Sequence, residues 1–490
     1  MKSAALTGPA WSEKSIYGLW MAFSSFFILL ALWMDNWLPA LVPVLTPVAL
    51  WVIADYRNLF YLFFAVVPFS IEYNFTPSLG MDIPSEPIMM LLFGIGLLLF
   101  FSKAFHGNFS NYRHPITAIL LLHFVWILIS SINSQFPIIS AKVTLAKLWY
   151  IIPFYFFSLH VLKGNQDITR MTKYAVYMLA ISIMIVLFRH SQKDFSFEDA
   201  NFVVTPLFRN HVNYACIIVI FLPYLWALVM WSRAWTAKMI YLVMMALYAV
   251  GIYFSYTRAA ILSMVLAVVI YYIIKKRWMM HALLLASLTL MMGIAYLMYN
   301  NNYLRFNPQY EKTISHQRFD KLLTATYKME DISTMERLYR WVAGVQMIQD
   351  KPLMGFGPGT FYSSYGAYTV SSFQTYVSNN IDNSTVHNYF LLVFIEQGFI
   401  GFVIFILLCI IVLVSGERTY HQLTNKEDRV AVMAAMLSFC IILLLNTIND
   451  MIETDKVGPF FFLAMAIIVV YRNRARNQTL GKEYKAATGK

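Results

Sequence analysis

The stretch Met354-Gly355-Phe356-Gly357-Pro358-Gly359-Thr360-Phe361 lies in the middle of a long polar interval, residues 300–386. Val386-His387-Asn388-Tyr389-Phe390 closes this interval, and the chain on both sides of it is dominated by apolar runs. Three glycines within five residues predict a tight turn, because glycine readily adopts positive φ and lets other backbone approach closely. The interval is the only part of the sequence large enough to form a water-facing site, so function is sought there.

The apolar runs predict an all-α polytopic membrane protein. The chain has 490 residues, of which 59% are hydrophobic and only 13% are charged, well below the charge of soluble domains. A helix needs about 20 apolar residues to cross a bilayer. We therefore expect about 12–14 transmembrane helices. The fourteen candidate spans are 17–34, 38–54, 59–71, 88–105, 115–132, 146–162, 172–188, 211–231, 238–255, 258–274, 279–299, 388–414, 429–448 and 457–471. The spans 38–54 and 59–71 are short and contain prolines, so they could form a hairpin that does not fully cross.

The distribution of basic residues predicts the orientation. With the N-terminus inside, 22 of the 37 Lys and Arg residues fall in inner segments and seven fall in short outer loops. Because Lys and Arg are retained on the cytoplasmic side, both termini are predicted to be cytoplasmic and the long interval to be periplasmic. The net charge of +12 reflects this asymmetry. No nucleic-acid partner is expected, since no basic stripe with interleaved aromatics lies outside the spans.

Within the interval, Ser333-Thr334-Met335-Glu336 has the spacing of a capping box and precedes an apolar stripe. This pattern predicts an amphipathic helix from about Thr334 to Gln349, with Arg337 and Arg340 at its flank or on the opposite face. The helix could be an ordinary surface helix whose arginines contact lipid headgroups.

Four ionisable residues at the outer membrane boundary are candidates for the site. His387 stands where the chain returns to the membrane and could act as a general base, or it could be a structural histidine. Arg258 opens an otherwise apolar span and could hold a phosphate or snorkel to the interface. Arg209, close to His211 in the sequence, has the same two possible roles as Arg258. No acidic cluster with metal-ligand spacing is visible on the outer side, where Asp331, Asp382 and Glu396 are isolated, so neither a metal nor another cofactor is expected.

Several motifs, in order, resemble the shared core of the O-antigen ligase and O-antigen polymerase family. They are Ser255-Tyr256-Thr257-Arg258-Ala259-Ala260, Arg337-x-x-x-Trp341, Asp350-Lys351-Pro352 followed by the glycine-rich stretch, His387-Asn388-Tyr389-Phe390, and Glu396-Gln397-Gly398-Phe399-Ile400-Gly401. The resemblance spans about residues 255–405. It implies a GT-C-like membrane fold and a glycosyltransferase that uses a glycan attached to undecaprenyl pyrophosphate.

The resemblance also implies roles for individual residues. His387 would take the proton of the acceptor hydroxyl, and Arg258, Arg337 and Arg209 would bind the pyrophosphate. Gly355, Gly357, Gly359 and Asn388 would shape the loop. We interpret the chain as a ligase that transfers a glycan to lipid A core at the periplasmic face of the bacterial inner membrane, surrounded by membrane lipids. A polymerase with the same donor is the main alternative, and a polysaccharide flippase or exporter is a further one.

These motifs divide the chain into four predicted regions. Residues 1–254 are N-terminal transmembrane helices, and residues 255–415 form the ligase-like core with its periplasmic loop 300–386. Residues 416–471 are C-terminal transmembrane helices, and residues 472–490 are a basic cytoplasmic tail.

Overall fold

The computed structural model describes residues 13–76, 79–101, 113–300, 302, 332–374, 378–380 and 384–488. The described chain is almost entirely helical, which confirms the predicted all-α class. It divides into two compact units, Met1–Leu62 and Phe63–Lys490. Part of the long polar interval, including Asp331 and Asp382, lies outside the described residues. The four predicted regions are a finer division by function and stay a prediction.

The first unit contains helices α1 (Glu13–Trp33) and α2 (Leu41–Ala54) and the beginning of α3 (Arg57–Val66). Pro47 lies inside α2, and the Arg57 guanidinium pairs with the Asp55 carboxylate at 2.7 Å just before α3. Helices α2 and α3, with 14 and 10 residues, are short for a bilayer crossing, whereas α1 has 21 residues.

The second unit contains all of the site described below. Its helices are α4 (Ser85–Phe101), α5 (Pro115–Ile132), α6 (Pro137–Ile151), α7 (Ser158–Val161), α8 (Asn165–Ser191), α9 (Ala200–Val204), α10 (His211–Trp231), α11 (Trp235–Phe254), α12 (Arg258–Lys275), α13 (Met279–Met298), α14 (Ile332–Asp350), α15 (Phe361–Ser364), α16 (Tyr389–Gln422), α17 (Lys426–Leu445) and α18 (Gly458–Thr488). A π-helical turn, Ile152–Phe157, joins α6 to α7. Helix α18 continues through most of the predicted tail as one helix.

Among the described residues, nine helices are long and apolar enough to cross a membrane. They are Pro115–Ile132, Pro137–Val161, Asn165–Ser191, His211–Trp231, Trp235–Phe254, Arg258–Lys275, Met279–Met298, Tyr389–Gln422 and Lys426–Leu445. The other five predicted spans coincide with the shorter apolar helices Tyr17–Trp33, Leu41–Ala54, Arg57–Phe69 and Ser85–Leu99 and with the start of α18. Every predicted span therefore falls on a helix, while the total of 12–14 crossings stays a prediction.

Helices α10 and α17 form the centre of the second unit. In the most apolar stretch of each helix, 78% of the residues are buried, and the two helices pack directly on each other. Helix α13 is the opposite case, because none of the residues in its most apolar stretch is buried. A helix that is apolar all round and exposed on most of its surface fits a lipid environment better than water.

A β-hairpin occupies the segment that was predicted only as an outer loop between Glu72 and Glu86. Strand β1 (Ile71–Thr76) pairs antiparallel with β2 (Leu79–Ile83), and Glu72 lies opposite Asp82. Apolar and polar residues alternate along β1, so its two faces differ in character. Ile71, Tyr73 and Phe75 are exposed, whereas Ser70, Glu72 and Asn74 line a cavity.

Contacts between helix ends agree with the predicted alternation of sides. Three contacts join segments that are both predicted to be outer, namely Ser140 with Pro358, His211 with Ser255, and Tyr389 with Asn446. Three others join segments that are both predicted to be inner, namely Asn165 with Asp428, Met279 with Glu417, and Ile274 with His421. If the predicted number of crossings between two such partners were wrong by one, the partners would lie on opposite sides of the membrane and could not contact each other. Which end faces the periplasm stays a prediction.

Candidate functional site

Helix α14 brings two residues of the predicted motif to the end of the bundle. The helix expected from about Thr334 to Gln349 is confirmed as Ile332–Asp350. The Trp341 Nε1–H donates to the Val386 carbonyl oxygen at 2.9 Å, which fixes α14 to the segment that precedes His387. The Arg337 Nε–H donates to the Ile448 carbonyl oxygen at 3.2 Å, in the connection between α17 and α18. Arg337 therefore lies where three distant parts of the chain meet.

His387 faces a carboxylate to which no sequence motif pointed. Its Nδ1 is 3.6 Å from Asp450 Oδ1, a distance suited to a charge contact rather than a full hydrogen bond. Asp450 Oδ2 accepts a hydrogen bond from the Thr385 hydroxyl at 2.5 Å. His387 also has φ of 52°, a left-handed conformation that is rare for residues other than glycine. Unusual backbone of this kind persists where surrounding contacts enforce it, often at functional sites.

The pKa of the Asp450 carboxyl is lowered from its usual value. Burial alone would raise this pKa, but the adjacent His387 side chain and the Thr385 hydroxyl outweigh it by stabilising the charged form. Asp450 is therefore ionised at neutral pH. A carboxylate facing Nδ1 holds the imidazole in a defined orientation.

The expectation for Arg340 is wrong. We expected this residue at the flank or on the solvent-facing side of α14, but it is only 6% exposed. Its Nη2 lies 3.3 Å from Glu336 Oε2, and Glu336 Oε1 accepts from the Ser378 hydroxyl at 2.7 Å. Arg340 and Glu336 are one helical turn apart on a face that the loop covers. Arg340 is thus part of the packed interior of the site.

A second charged group joins the site to the membrane helices. Lys147, in α6, is only 4% exposed, and its Nζ donates to Glu453 Oε1 at 2.6 Å and to the Tyr389 hydroxyl at 3.0 Å. Lys147 stands at the start of the predicted span 146–162 and is one of the seven basic residues that the predicted topology counts in short outer loops. A lysine inside an apolar helix was the available signal, since such residues are rare and usually paired. Its partner could not be inferred because Glu453 lies 306 residues away along the chain.

The glycine-rich turn packs tightly between helices. Gly355, Gly357 and Gly359 have φ values of 71°, 104° and 75°, all in the region that favours glycine. A Cβ at Gly355 would lie 2.5 Å from the Glu396 carbonyl carbon, and one at Gly359 would lie 2.6 Å from Val143 Cγ2. These positions need glycine for both backbone conformation and space.

Two backbone amides of this turn donate hydrogen bonds to carbonyl oxygens of α16. The Phe356 N–H donates to the Ile395 carbonyl oxygen at 3.0 Å, and the Gly357 N–H donates to the Glu396 carbonyl oxygen at 2.8 Å. Gly398, with φ of 68° and ψ of −174°, interrupts the helical geometry of α16 at this level. The turn is thus built to dock on the kinked helix, and these two amides are not available to cradle a phosphate.

Asn388 begins α16 and aligns it with the site. Its side-chain oxygen accepts a hydrogen bond from the Leu391 N–H at 3.0 Å, the geometry of an N-cap. The next residue, Tyr389, donates its backbone N–H to the carbonyl oxygens of Asn446 and Asn449. Asn388 therefore sets the start of the helix directly after His387.

Arg209 lies at a polar cavity of about 460 Å³. Glu72, Asp82, Glu86, Asp455 and Lys456 also line this cavity. Acidic groups outnumber basic ones there, so the surroundings of Arg209 suit a pyrophosphate poorly. Burial and the neighbouring Asp82 raise the pKa of the Asp455 carboxyl well above its usual value.

Arg258 begins α12, directly after Thr257 in a turn that packs against α10. His211 Nδ1 lies 2.7 Å from the Ser255 carbonyl oxygen and 3.2 Å from the Thr257 hydroxyl. Arg258 is not among the described residues that line the cavity. The described contacts bring Arg337 and His387 together around residues 448–450, whereas Arg258 lies at the start of α12.

Within the described residues, no group of three or more His, Cys, Asp or Glu side chains is arranged to hold a metal ion. The predicted independence of metal stays a prediction.

Comparison with known protein families gives one match. The family described as O-antigen ligase matches residues 243–406, about a third of the chain. The matched segment contains Arg258, Arg337, the glycine-rich turn, His387 and Asn388, but neither Arg209, Lys147 nor Asp450. No curated protein matches the chain.

Proposed function

Residues 243–406 carry an O-antigen ligase domain, and from this premise we propose that the protein transfers a glycan from an undecaprenyl pyrophosphate carrier to an acceptor hydroxyl. The acceptor in this proposal is a sugar of the lipid A core, and the reaction takes place at the periplasmic face of the inner membrane. The family supports ligase- or polymerase-type activity in general. Donor, acceptor and side of the membrane are the parts that we propose.

The pair of His387 and Asp450 is the observation that carries the mechanism. Asp450 faces Nδ1 of the imidazole at 3.6 Å, so Nε2 is the nitrogen that would meet the acceptor hydroxyl. In the proposed step the hydroxyl oxygen bonds to the anomeric carbon while its proton moves to Nε2. The bond from the anomeric carbon to the pyrophosphate oxygen breaks, and the electron pair leaves with the undecaprenyl pyrophosphate.

Arg337 supports departure of the pyrophosphate. Its Nε is fixed by the Ile448 carbonyl oxygen and Nη1 by the Ser333 hydroxyl at 2.8 Å, so its position is defined before substrate binds. A guanidinium forms paired, charge-assisted hydrogen bonds to phosphate oxygens, which stabilise negative charge as the anomeric bond breaks. Arg258 is the second proposed contact to the pyrophosphate. The charge comes from side chains in this scheme, and no step requires a metal.

The experiment that tests this proposal uses the purified full-length protein with lipid-linked repeat units, with and without lipid A core. A ligase adds glycan only when lipid A core is present. A polymerase, which would use the same donor, extends repeat units into a ladder without that acceptor. We expect single transfers that persist in EDTA. Absence of both products would contradict the transferase proposal, and loss in EDTA that is restored by a divalent cation would contradict metal independence.

A further inference from the structure

The cavity of about 460 Å³ beside the site is a second place where a substrate could bind. Its volume falls within the roughly 300–1,000 Å³ that is usual for ligand pockets. The lining comes from separate parts of the chain: the β-hairpin with Ser70, the start of α4, Tyr150 of α6, residues 205–209, Asn213 of α10 and residues 453–456. The lining contains carboxylates, amides, a phenol and the exposed guanidinium of Arg209. These groups can form hydrogen bonds with many hydroxyl groups.

The cavity is connected to the catalytic pair through one short segment. Residues Met451–Glu453 form a 3₁₀ turn in which the Glu453 N–H donates to the Asp450 carbonyl oxygen at 3.1 Å. Asp450 faces His387 at one end of this turn, and Glu453 lines the cavity at the other end. The catalytic pair and the cavity therefore border the two ends of the same short turn.

The hairpin that covers the cavity carries an unfavourable pairing. Glu72 and Asp82 lie directly opposite each other in the antiparallel register, and like charges in that position destabilise a hairpin. Gly80 makes room for this polar face, because a Cβ there would lie 2.5 Å from Asn74 Oδ1. The apolar residues of β1 are on the other face and exposed. The hairpin thus separates a polar, acidic chamber from apolar surroundings.

Charge inside the chamber favours one class of sugar. Asp455 is hydrogen-bonded to the Ser85 hydroxyl at 2.8 Å, and the neighbouring Lys456 is tied to the carbonyl oxygens of Ser70 and Leu207. The Lys456 ammonium group is thus held by the protein, and Arg209 lines the same cavity as several carboxylates. The paired carboxylates of Glu72 and Asp82 on the hairpin would repel a ligand with its own carboxylate or phosphate, whereas hydroxyl and amino groups would find acceptors in the lining.

We propose that this cavity is a subsite for a sugar unit of the glycan substrate, and that its acidic lining selects neutral or amine-bearing sugars against acidic ones. Arg209 then bonds sugar hydroxyls rather than pyrophosphate. This inference rests on the proposed transferase function, because that function makes a glycan the substrate that would enter the cavity. Binding of free oligosaccharides can nevertheless be measured without any transfer.

The test measures binding of three uniform trisaccharides to the purified full-length protein: tri-glucosamine, tri-N-acetylglucosamine and trigalacturonic acid. We expect the first two to bind and trigalacturonic acid to bind at least tenfold more weakly. Glu72→Gln keeps side-chain size but removes one charge. It should weaken tri-glucosamine binding on the order of fivefold and bring trigalacturonic acid closer to the others.

Glu198→Gln is the matched control, because Glu198 is an exposed carboxylate on the same predicted side and does not line the cavity. A melting measurement establishes that both variants fold. Equal binding of trigalacturonic acid, no binding of any trisaccharide, or equal effects of the two variants would overturn the subsite. Selective binding with no transfer activity would preserve the subsite and contradict the transferase proposal instead.

Discussion

His387 and Arg337 are held by different partners, so they should contribute to different steps. His387 faces the half-buried Asp450 carboxylate and has an exposed fraction of 31%, which suits proton transfer from a bound hydroxyl. Arg337 is fixed by a carbonyl oxygen and a serine, which suits binding of an anion. In the proposed mechanism the first residue acts on the reacting oxygen, whereas the second acts on the leaving group.

This division gives a prediction for two variants. His387→Ala should lower the transfer rate by about 100-fold or more, the usual cost of a lost general base, and leave donor binding largely intact. Arg337→Ala should weaken both donor binding and transfer, because the arginine contacts the pyrophosphate before and during bond breaking. Initial rates and equilibrium binding of lipid-linked donor to the full-length protein measure the two effects.

Gln346→Ala is the control for these variants, since Gln346 is exposed on the same helix. Arg340 is unsuitable as a control, because its truncation would remove the ion-pair partner of the buried Glu336 carboxylate. If His387→Ala left the transfer rate unchanged, the histidine would have a structural role.

Some of the site was accessible from sequence, and some was not. Short sequence motifs contain His387, Arg337 and Asn388. These motifs lie in or at the end of the long polar interval, so the sequence predicts that all three residues are at the same membrane boundary. Asp450 and Glu453 lie in a short connection with no motif, and their partners are distant along the chain. Pairings of that kind depend on how the helices pack, which local spacing does not encode.

At the scale of elements, the glycine-rich turn and α16 fit into each other. Gly355 approaches the backbone of Glu396, and a Cβ at Gly398 would meet the backbone of Leu353 and Met354. Ser130 completes the contact by donating to the Glu396 carbonyl oxygen at 3.0 Å. The periodic pattern correctly predicted helices on both sides. It did not predict the β-hairpin, although the alternation of Ile71, Tyr73 and Phe75 with polar residues is the signal of a strand.

The fit predicts that Gly355→Ala lowers stability. Alanine is strained at φ of 71°, and its Cβ would lie 2.5 Å from backbone that cannot move independently. We expect a loss of about 1–3 kcal/mol in the free energy of unfolding, measured as a lower Tm of the protein in detergent. Gly366→Ala is the matched control, because no other group lies within 4 Å of the point that its new methyl group would occupy and its φ is not positive. Equal Tm values for the two variants would contradict the tight fit.

At the scale of the whole molecule, the sidedness of the chain determines what the site can meet. The outer position of the site was inferred from basic residues and is consistent with contacts between helix ends. A site on that side has no nucleotide sugar available, so the donor must carry its own leaving group. Orientation is therefore the prediction on which the donor assignment depends.

Single cysteines can test the orientation, because the native Cys216, Cys409 and Cys440 are all buried. A membrane-impermeant maleimide added to intact spheroplasts should label Glu198→Cys, in a predicted outer loop. It should label Arg233→Cys, in a predicted inner loop, only after the membrane is opened, since the Arg233 side chain is 94% exposed. The reverse pattern would move the site to the cytoplasm and rule out the proposed periplasmic reaction.

The pairing of Lys147 with Glu453 also bears on how the chain is made. Helix α6 leaves the ribosome long before Glu453, which follows 306 residues later, so the ammonium group at first has no carboxylate beside it. A lysine at the centre of an inserting helix costs about 2.5–3.5 kcal/mol. The span Pro137–Val161 also has the lowest mean hydropathy of the nine, 1.2. During synthesis α6 is thus expected to be a weakly inserted segment until the connection that contains Glu453 is translated. Nascent chains that stop before Glu453 would expose an unpaired charge in the bilayer, a feature by which quality-control proteases can distinguish unfinished copies from complete ones.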